Sequence, residues 1–127
     1  MNEDLDLALL QAIAKGDREA VLNLLARGVN VNGRVSDGPT PLDMAVIADR
    51  PEIARLLVAH GADVNAQKEN GWTSLHVAAF EGRRNMVRVL IEEGASVAAA
   101  TADGLTPSDI ARRAGCVSTF AELVRNG

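Results

Sequence analysis

Asn70-Gly71-Trp72-Thr73-Ser74-Leu75-His76-Val77-Ala78 decides the reading of this chain, because the same phrase returns with altered residues at one fixed distance on either side. Asp37-Gly38-Pro39-Thr40-Pro41-Leu42-Asp43-Met44-Ala45 precedes it and Asp103-Gly104-Leu105-Thr106-Pro107-Ser108-Asp109-Ile110-Ala111 follows, so Gly38, Gly71 and Gly104 stand 33 residues apart. A second ladder, Gly28, Gly61, Gly94 and Gly127, takes the same step of 33. Two independent ladders with one period define a repeat architecture, in which each unit buries its apolar face against its neighbours.

A period of about 33 with a Thr-Pro-Leu-His-x-Ala core resembles the ankyrin repeat, a β-turn followed by two antiparallel helices. Thr73-Ser74-Leu75-His76-Val77-Ala78 is the nearest match. Gly61-Ala62-Asp63-Val64-Asn65 fits the family's phrase after a helix, and Gly94-Ala95-Ser96-Val97-Ala98 fits it more weakly. The resemblance covers nearly all 127 residues. It implies an all-α repeat solenoid: an elongated, slightly curved ankyrin-type stack of about four helix-turn-helix units with β-turn or hairpin loops and no further sheet. The implied organisation is a single domain, 1–127, with repeats at 1–32 (N-terminal cap), 33–65, 66–98 and 99–127 (C-terminal cap).

Composition agrees. The chain has 13.4 kDa and 47% apolar residues but only 2% aromatics and no Tyr, so its core must be built from Ala, Leu and Val, which suits closely stacked helices. A formal charge of −4 argues against nucleic acid, whose phosphates require a concentrated basic surface, and against anionic membranes for the same reason. A single cysteine, Cys116, excludes an intrachain disulfide and a cysteine-rich zinc site, and fits a reducing compartment. Leu5 to Ala14 carries Asp6 and lacks the basic leader of a signal peptide. No stretch approaches the roughly 18 apolar residues of a membrane span. The expectation is a soluble, cytoplasmic monomer.

Repeat 1–32 has Asp4, Leu5 and Leu7 where later repeats have Asp/Asn, Gly and Thr, so it begins directly in a helix with Asn2 as the expected N-cap. Leu9, Ala12 and Ile13 form its apolar face, and Asn2, Glu3, Asp6 and Gln11 its outward one. After Gly16-Asp17, Val21, Leu22, Leu24 and Leu25 line a second helix. Thr40-Pro41-Leu42-Asp43 and Thr106-Pro107-Ser108-Asp109 are helix-start devices: the Thr caps, Pro has no amide to orphan, and Asp favours the positive helix end. His76 replaces the acid in 66–98, and the resemblance implies that it hydrogen-bonds within and between repeats; its loss should cost on the order of 1 kcal/mol. Gly16, Asp49, Gly82 and Gly115 mark the left-handed ends of the first helices, with Asp49 tolerated there at a cost on the order of 1 kcal/mol. Later second helices bury Ile53, Leu56, Leu57 and Val58, then Val87, Leu90 and Ile91. His60 decorates a helix C-terminus, and Phe120 fills the core in the register of Val21, Ala54 and Val87. Ser108 and Glu122, standing where Leu42 and Leu75, and Leu56 and Val89, stand, are expected to face solvent as a terminal cap requires.

An enzyme needs a convergent nucleophile, base and orienting group, or a metal cluster. Cys116, His76 and Asp109 are the best such set here, yet the register puts Cys116 at a turn, in the exposed class of Asp17, Arg50 and Arg83, and His76 in the neighbouring repeat. No catalytic, cofactor-binding or metal-binding residues and no cofactor are expected. Binding has better support. The hairpin tips and first-helix ends are free of structural duty, and in the family they form a concave protein-binding surface. The residues so placed include Ile47, Glu69, Asn70, Trp72, Phe80, Glu81, Leu105 and Arg113, among them the only Trp and one of two Phe. Aromatics dominate interface hot spots, which makes their placement informative. The expectation is a non-enzymatic protein-binding module acting as inhibitor, adaptor or scaffold on a protein of basic or mixed surface. The alternative is a structural or assembly unit, or a fragment of a larger repeat protein.

Overall fold

The computed structural model describes residues 3–126, the side chains of Glu3 and Asn126 excepted. The expected cap Asn2, the outward placement of Glu3 and the last ladder glycine, Gly127, lie outside the described residues. Among the described residues eight helices follow one another: α1 Glu3–Lys15, α2 Arg18–Ala26, α3 Pro41–Ile47, α4 Pro51–Ala59, α5 Ser74–Glu81, α6 Arg84–Glu92, α7 Pro107–Arg113 and α8 Val117–Asn126. Among the described residues there is no strand. The fold is an all-helical repeat, as the ladders require.

The chain forms two compact units, 1–63 and 64–127, each of two helix pairs. In the first, α1 packs on α2 and on α3, and α3 on α4; in the second, α5 packs on α6 and α7, and α8 on α6 and α7. The cores are aliphatic: Leu9, Ile13, Val21, Leu42, Val46 and Leu57 are at most 2% exposed in one unit, and Leu75, Met86, Val87, Leu90 and Leu123 in the other. At roughly 1.5–3 kcal/mol for each fully buried side chain, these rows supply the main driving force for folding.

The helix starts follow from their sequences. Thr40 Oγ1 accepts the Asp43 amide at 3.0 Å while Asp43 accepts the Thr40 amide at 3.2 Å, and Thr106 and Asp109 repeat the reciprocal box. The Thr106 backbone amide, ahead of the Thr106 hydroxyl, holds the Asp109 carboxyl below its ordinary value. The ends follow too: Gly16, Asp49, Gly82 and Gly115 all take positive φ, Asp49 at 59°. Space is a second reason for glycine there. A Cβ on Gly16 would come within 2.9 Å of the Arg50 guanidinium, which donates to the Ala14 carbonyl at 3.0 Å; a Cβ on Gly82 would meet Cys116 Sγ at 3.1 Å. Arg50 and Cys116 are therefore partly covered, where the register suggested an exposed class.

Several expectations change. Leu22, Leu24, Leu25, Leu56, Val58 and Ile91 are only half-buried, because these nine-residue helices seat one row in the core and leave flanking positions at its edge. Asp6 is half-buried, its carboxylate against Gly33, whereas Gln11 is exposed as expected. In 33–65 the left-handed turn residue is Ser36 (φ 56°), two places before Gly38. There the Arg34 side chain fastens the turn, donating to the carbonyls of Gly38 and Asp37 at 2.8 and 2.7 Å. Phe120 is only half-buried, lining a pocket with Ala111, Arg112, Gly115, Cys116 and Val117 instead of filling the core. Glu122 is 4% exposed, in contrast to the solvent-facing cap residue expected; Arg84, Arg88 and Arg125 reach its Oε1 and make its burial tolerable. Ser108 is half-buried.

Candidate functional site

Trp72 sits in a hairpin whose backbone is pinned from three directions. The Lys68 amide donates to the Trp72 carbonyl at 2.9 Å, the Gly71 amide to Lys68 at 2.7 Å, and the Trp72 amide to Asn70 Oδ1 at 3.0 Å. The next hairpin repeats the closure, Thr101 to Leu105 at 2.9 Å and Gly104 to Thr101 at 2.8 Å. The two are tied together by the Ala102 amide donating to the Asn70 carbonyl at 2.9 Å and by Gln67 Nε2 donating to Ala100 at 3.3 Å. Gly71 is required for this approach: its φ is +80°, and a Cβ there would fall 2.8 Å from the Ala102 amide nitrogen.

His76 locks the same region from below. Its Nδ1 accepts the Thr73 amide at 3.1 Å and lies 2.9 Å from Thr73 Oγ1, and Thr73 Oγ1 in turn accepts the His76 amide at 3.4 Å. Its Nε2 lies 2.9 Å from the Leu105 carbonyl, so the neutral tautomer with hydrogen on Nε2 satisfies every partner. Burial, first, holds the His76 pKa below its ordinary value, against the opposing pull of the Leu105 carbonyl, and Lys68 lowers it further. The ring therefore acts as a neutral brace between repeats. His60 is exposed, its Nδ1 3.0 Å from the Leu56 carbonyl at the end of α4.

On that frame the aromatic residues meet. Trp72, His76 and Phe80 fall at four-residue steps along α5 and its approach, which places them on one face. The Trp72 and His76 rings lie 5.7 Å apart, and Trp72 and Phe80 make an edge-to-face pair at 6.1 Å and 76°. Phe80 is 58% exposed and Trp72 half-buried. Glu69 and Asn70 at the hairpin tip are exposed, as are Glu81 beside Phe80 and Arg113 at the end of α7, in Phe80's own register. Leu105 is half-buried, its carbonyl held by His76. Ile47, at the end of α3 in the first unit, is 40% exposed. The structure thus puts seven of the eight expected residues in one unit, and brings Trp72 and Phe80 into direct contact.

Two asparagines to which the sequence assigned no role, Asn32 and Asn65, organise the turns. Asn32 Oδ1 accepts the Asp63 amide at 2.9 Å while its Nδ2 donates to the Gly61 carbonyl at 3.2 Å. Asn65 does the same to Ser96 and Gly94, at 2.8 and 3.1 Å. Their 33-residue spacing was the available signal.

Cys116 is a free thiol, its Sγ 3.9 Å from the Ala114 carbonyl. Among the described residues no group of three or more His, Cys, Asp or Glu side chains is placed to hold a metal ion, and no helix is long and apolar enough to cross a membrane.

No curated protein matches the chain. A family model of ankyrin repeats, three copies, matches residues 9–101 and 65–127. Such repeats are generally protein–protein interaction modules, typically without catalytic activity. Period, capping boxes, left-handed helix ends and the family model agree, and the chain belongs to the ankyrin-repeat family.

Proposed function

We propose that the chain is a non-enzymatic protein-binding module, acting as inhibitor, adaptor or scaffold by occupying a partner's surface with the face that carries Trp72 and Phe80. The observation that carries this reading is the edge-to-face pair itself: the only Trp and one of two Phe in the chain stand in contact, with Phe80 58% exposed. An exposed aromatic ring gains most when a partner removes it from water, and such anchors commonly carry 2 kcal/mol or more of binding free energy, roughly. Glu69, Asn70, Glu81, Leu105 and Arg113, all in the second unit, supply the polar and apolar surround. Two acids close to the anchor select a partner of basic or mixed surface, so association should slow as salt rises. Isothermal titration of an isolated partner with Trp72→Ala and Phe80→Ala tests this: loss of affinity with unchanged folding supports it, and unchanged affinity refutes it.

Exposed Val117 (78%) and Val124 (55%) on α8 favour a second reading, an assembly unit that covers this surface with another repeat or another chain. Sedimentation equilibrium separates the two, since only an assembly unit associates without a partner.

A further inference from the structure

Glu122 is a carboxylate buried to 5% side-chain exposure on α8, and three guanidiniums converge on its Oε1: Arg84 Nε at 3.5 Å, Arg88 Nη2 at 3.4 Å and Arg125 Nη1 at 3.5 Å. One negative charge faces three positive ones. Each distance is long for a charge-assisted bond, which settles near 2.7–2.9 Å, so the carboxylate is shared and saturates none of its partners. The hydrogen bonds described for these arginines use one nitrogen of each, although a guanidinium carries five N–H donors in a rigid fork. The three side chains keep 47%, 48% and 63% of their surface exposed, so each remains open to solvent while it contacts Glu122. The acidic residues of the whole chain outnumber the basic ones, 17 to 13, whereas here three arginines gather about one glutamate. The cluster lies on α6 and α8, whereas Phe80 lies on α5 and Trp72 in the hairpin that precedes α5.

We propose that the Arg84, Arg88 and Arg125 cluster around Glu122 is a second interaction surface, which takes an acidic peptide segment of a protein partner. The chemistry is carboxylate recognition. Planar guanidiniums match the two oxygens of a carboxylate, and the fixed spacing imposed by Glu122 presents them together, as separate flexible arginines would not be presented. Glu122 orders the cluster and also competes with the incoming acids for it. That dual role separates the proposal from a purely structural one, because removing the internal competitor should strengthen binding.

The test uses the full chain and a fluorescein-labelled octaglutamate peptide, followed by anisotropy at low ionic strength, with circular dichroism confirming folding of each variant. The wild type should bind, and added salt should weaken binding steeply. Arg84→Gln with Arg88→Gln should weaken binding roughly tenfold, at about threefold for each exposed charge, and Arg125→Gln about threefold. Glu122→Gln, which keeps the side-chain volume and an acceptor oxygen, should tighten it. Where the double variant loses its fold, Arg125→Gln and Glu122→Gln decide alone. Absence of peptide binding to the wild type overturns the proposal, as does peptide binding that ignores all four substitutions. So does displacement by inorganic phosphate at equal formal charge, which would make the patch a simple anion site. Self-association lost in the double variant would assign the surface to a second copy of the chain and overturn it equally.

Discussion

Replacing His76 separates the two duties its ring performs. His76→Ala removes the acceptor for the Thr73 amide and hydroxyl and the donor to the Leu105 carbonyl, and vacates a fully buried side-chain volume. At about 0.5–1.5 kcal/mol net for each hydrogen bond, plus the desolvation of whatever buried groups are orphaned, the loss comes to about 3–5 kcal/mol, above the single-bond figure expected from the sequence. His76→Asp rebuilds the capping box that Thr40 with Asp43 and Thr106 with Asp109 already use, and loses the reach to Leu105. It should cost about 2 kcal/mol, the worth of the bond between repeats and the ring's packing. Urea unfolding of the three proteins measures both numbers. An Asp variant as stable as the wild type would show that the brace to Leu105 contributes nothing; one as damaged as the Ala variant would show that the box is not what the ring supplies. The pH dependence has a fixed sign. Because the folded His76 pKa is lowered from 6.5, the neutral ring's contribution is complete above that value, declines as pH falls below it, and is lost once pH passes the depressed folded value. The stability advantage of wild type over His76→Asn should therefore shrink on acidification below about pH 6.5; an advantage that grows would refute the assigned protonation state.

Asp49→Gly should raise stability by up to about 1 kcal/mol by relieving a side chain held at φ 59°, with the added freedom of the unfolded chain as the offset; a clear loss in urea unfolding would show that Asp49's contacts outweigh the strain. Asn65→Ala should cost about 1–2 kcal/mol through its bonds to Ser96 and Gly94, and Asn32→Ala a similar amount through Asp63 and Gly61; unchanged unfolding midpoints would remove the clamp from the account.

What the sequence disclosed is what repeats at a fixed interval. Thr40, Thr73 and Thr106 cap helices because the same local chemistry recurs, and Asp49 takes the glycine's conformation because the ladder leaves it no alternative. What escaped reading depends on the neighbour. Glu122 breaks the apolar register of Leu56 and Val89, which suggests solvent, yet the part-exposed arginines that reach its buried carboxylate stand 34 to 38 residues earlier or three later. Ser36 and Gly38 divide a turn duty that Gly71 and Gly104 hold alone, a shift that Arg34 makes possible by capping the carbonyls. At the candidate site the spacing of Trp72 and Phe80 was legible, and their mutual edge-to-face contact was not, because ring orientation is set by packing rather than by sequence interval.

The claim that this face binds protein stands on one comparison. The wild type, Trp72→Ala, Phe80→Ala and the exposed control Arg55→Ala are each immobilised, proteins retained from a lysate of the source cells are quantified by mass spectrometry, and the affinity of the purified principal partner is then measured beside each variant's melting temperature. The account predicts that both aromatic variants lose roughly 2 kcal/mol or more of binding while melting close to the wild type, with Arg55→Ala unchanged in both. Aromatic variants that bind as the control does, or that lose binding only by unfolding, would contradict it.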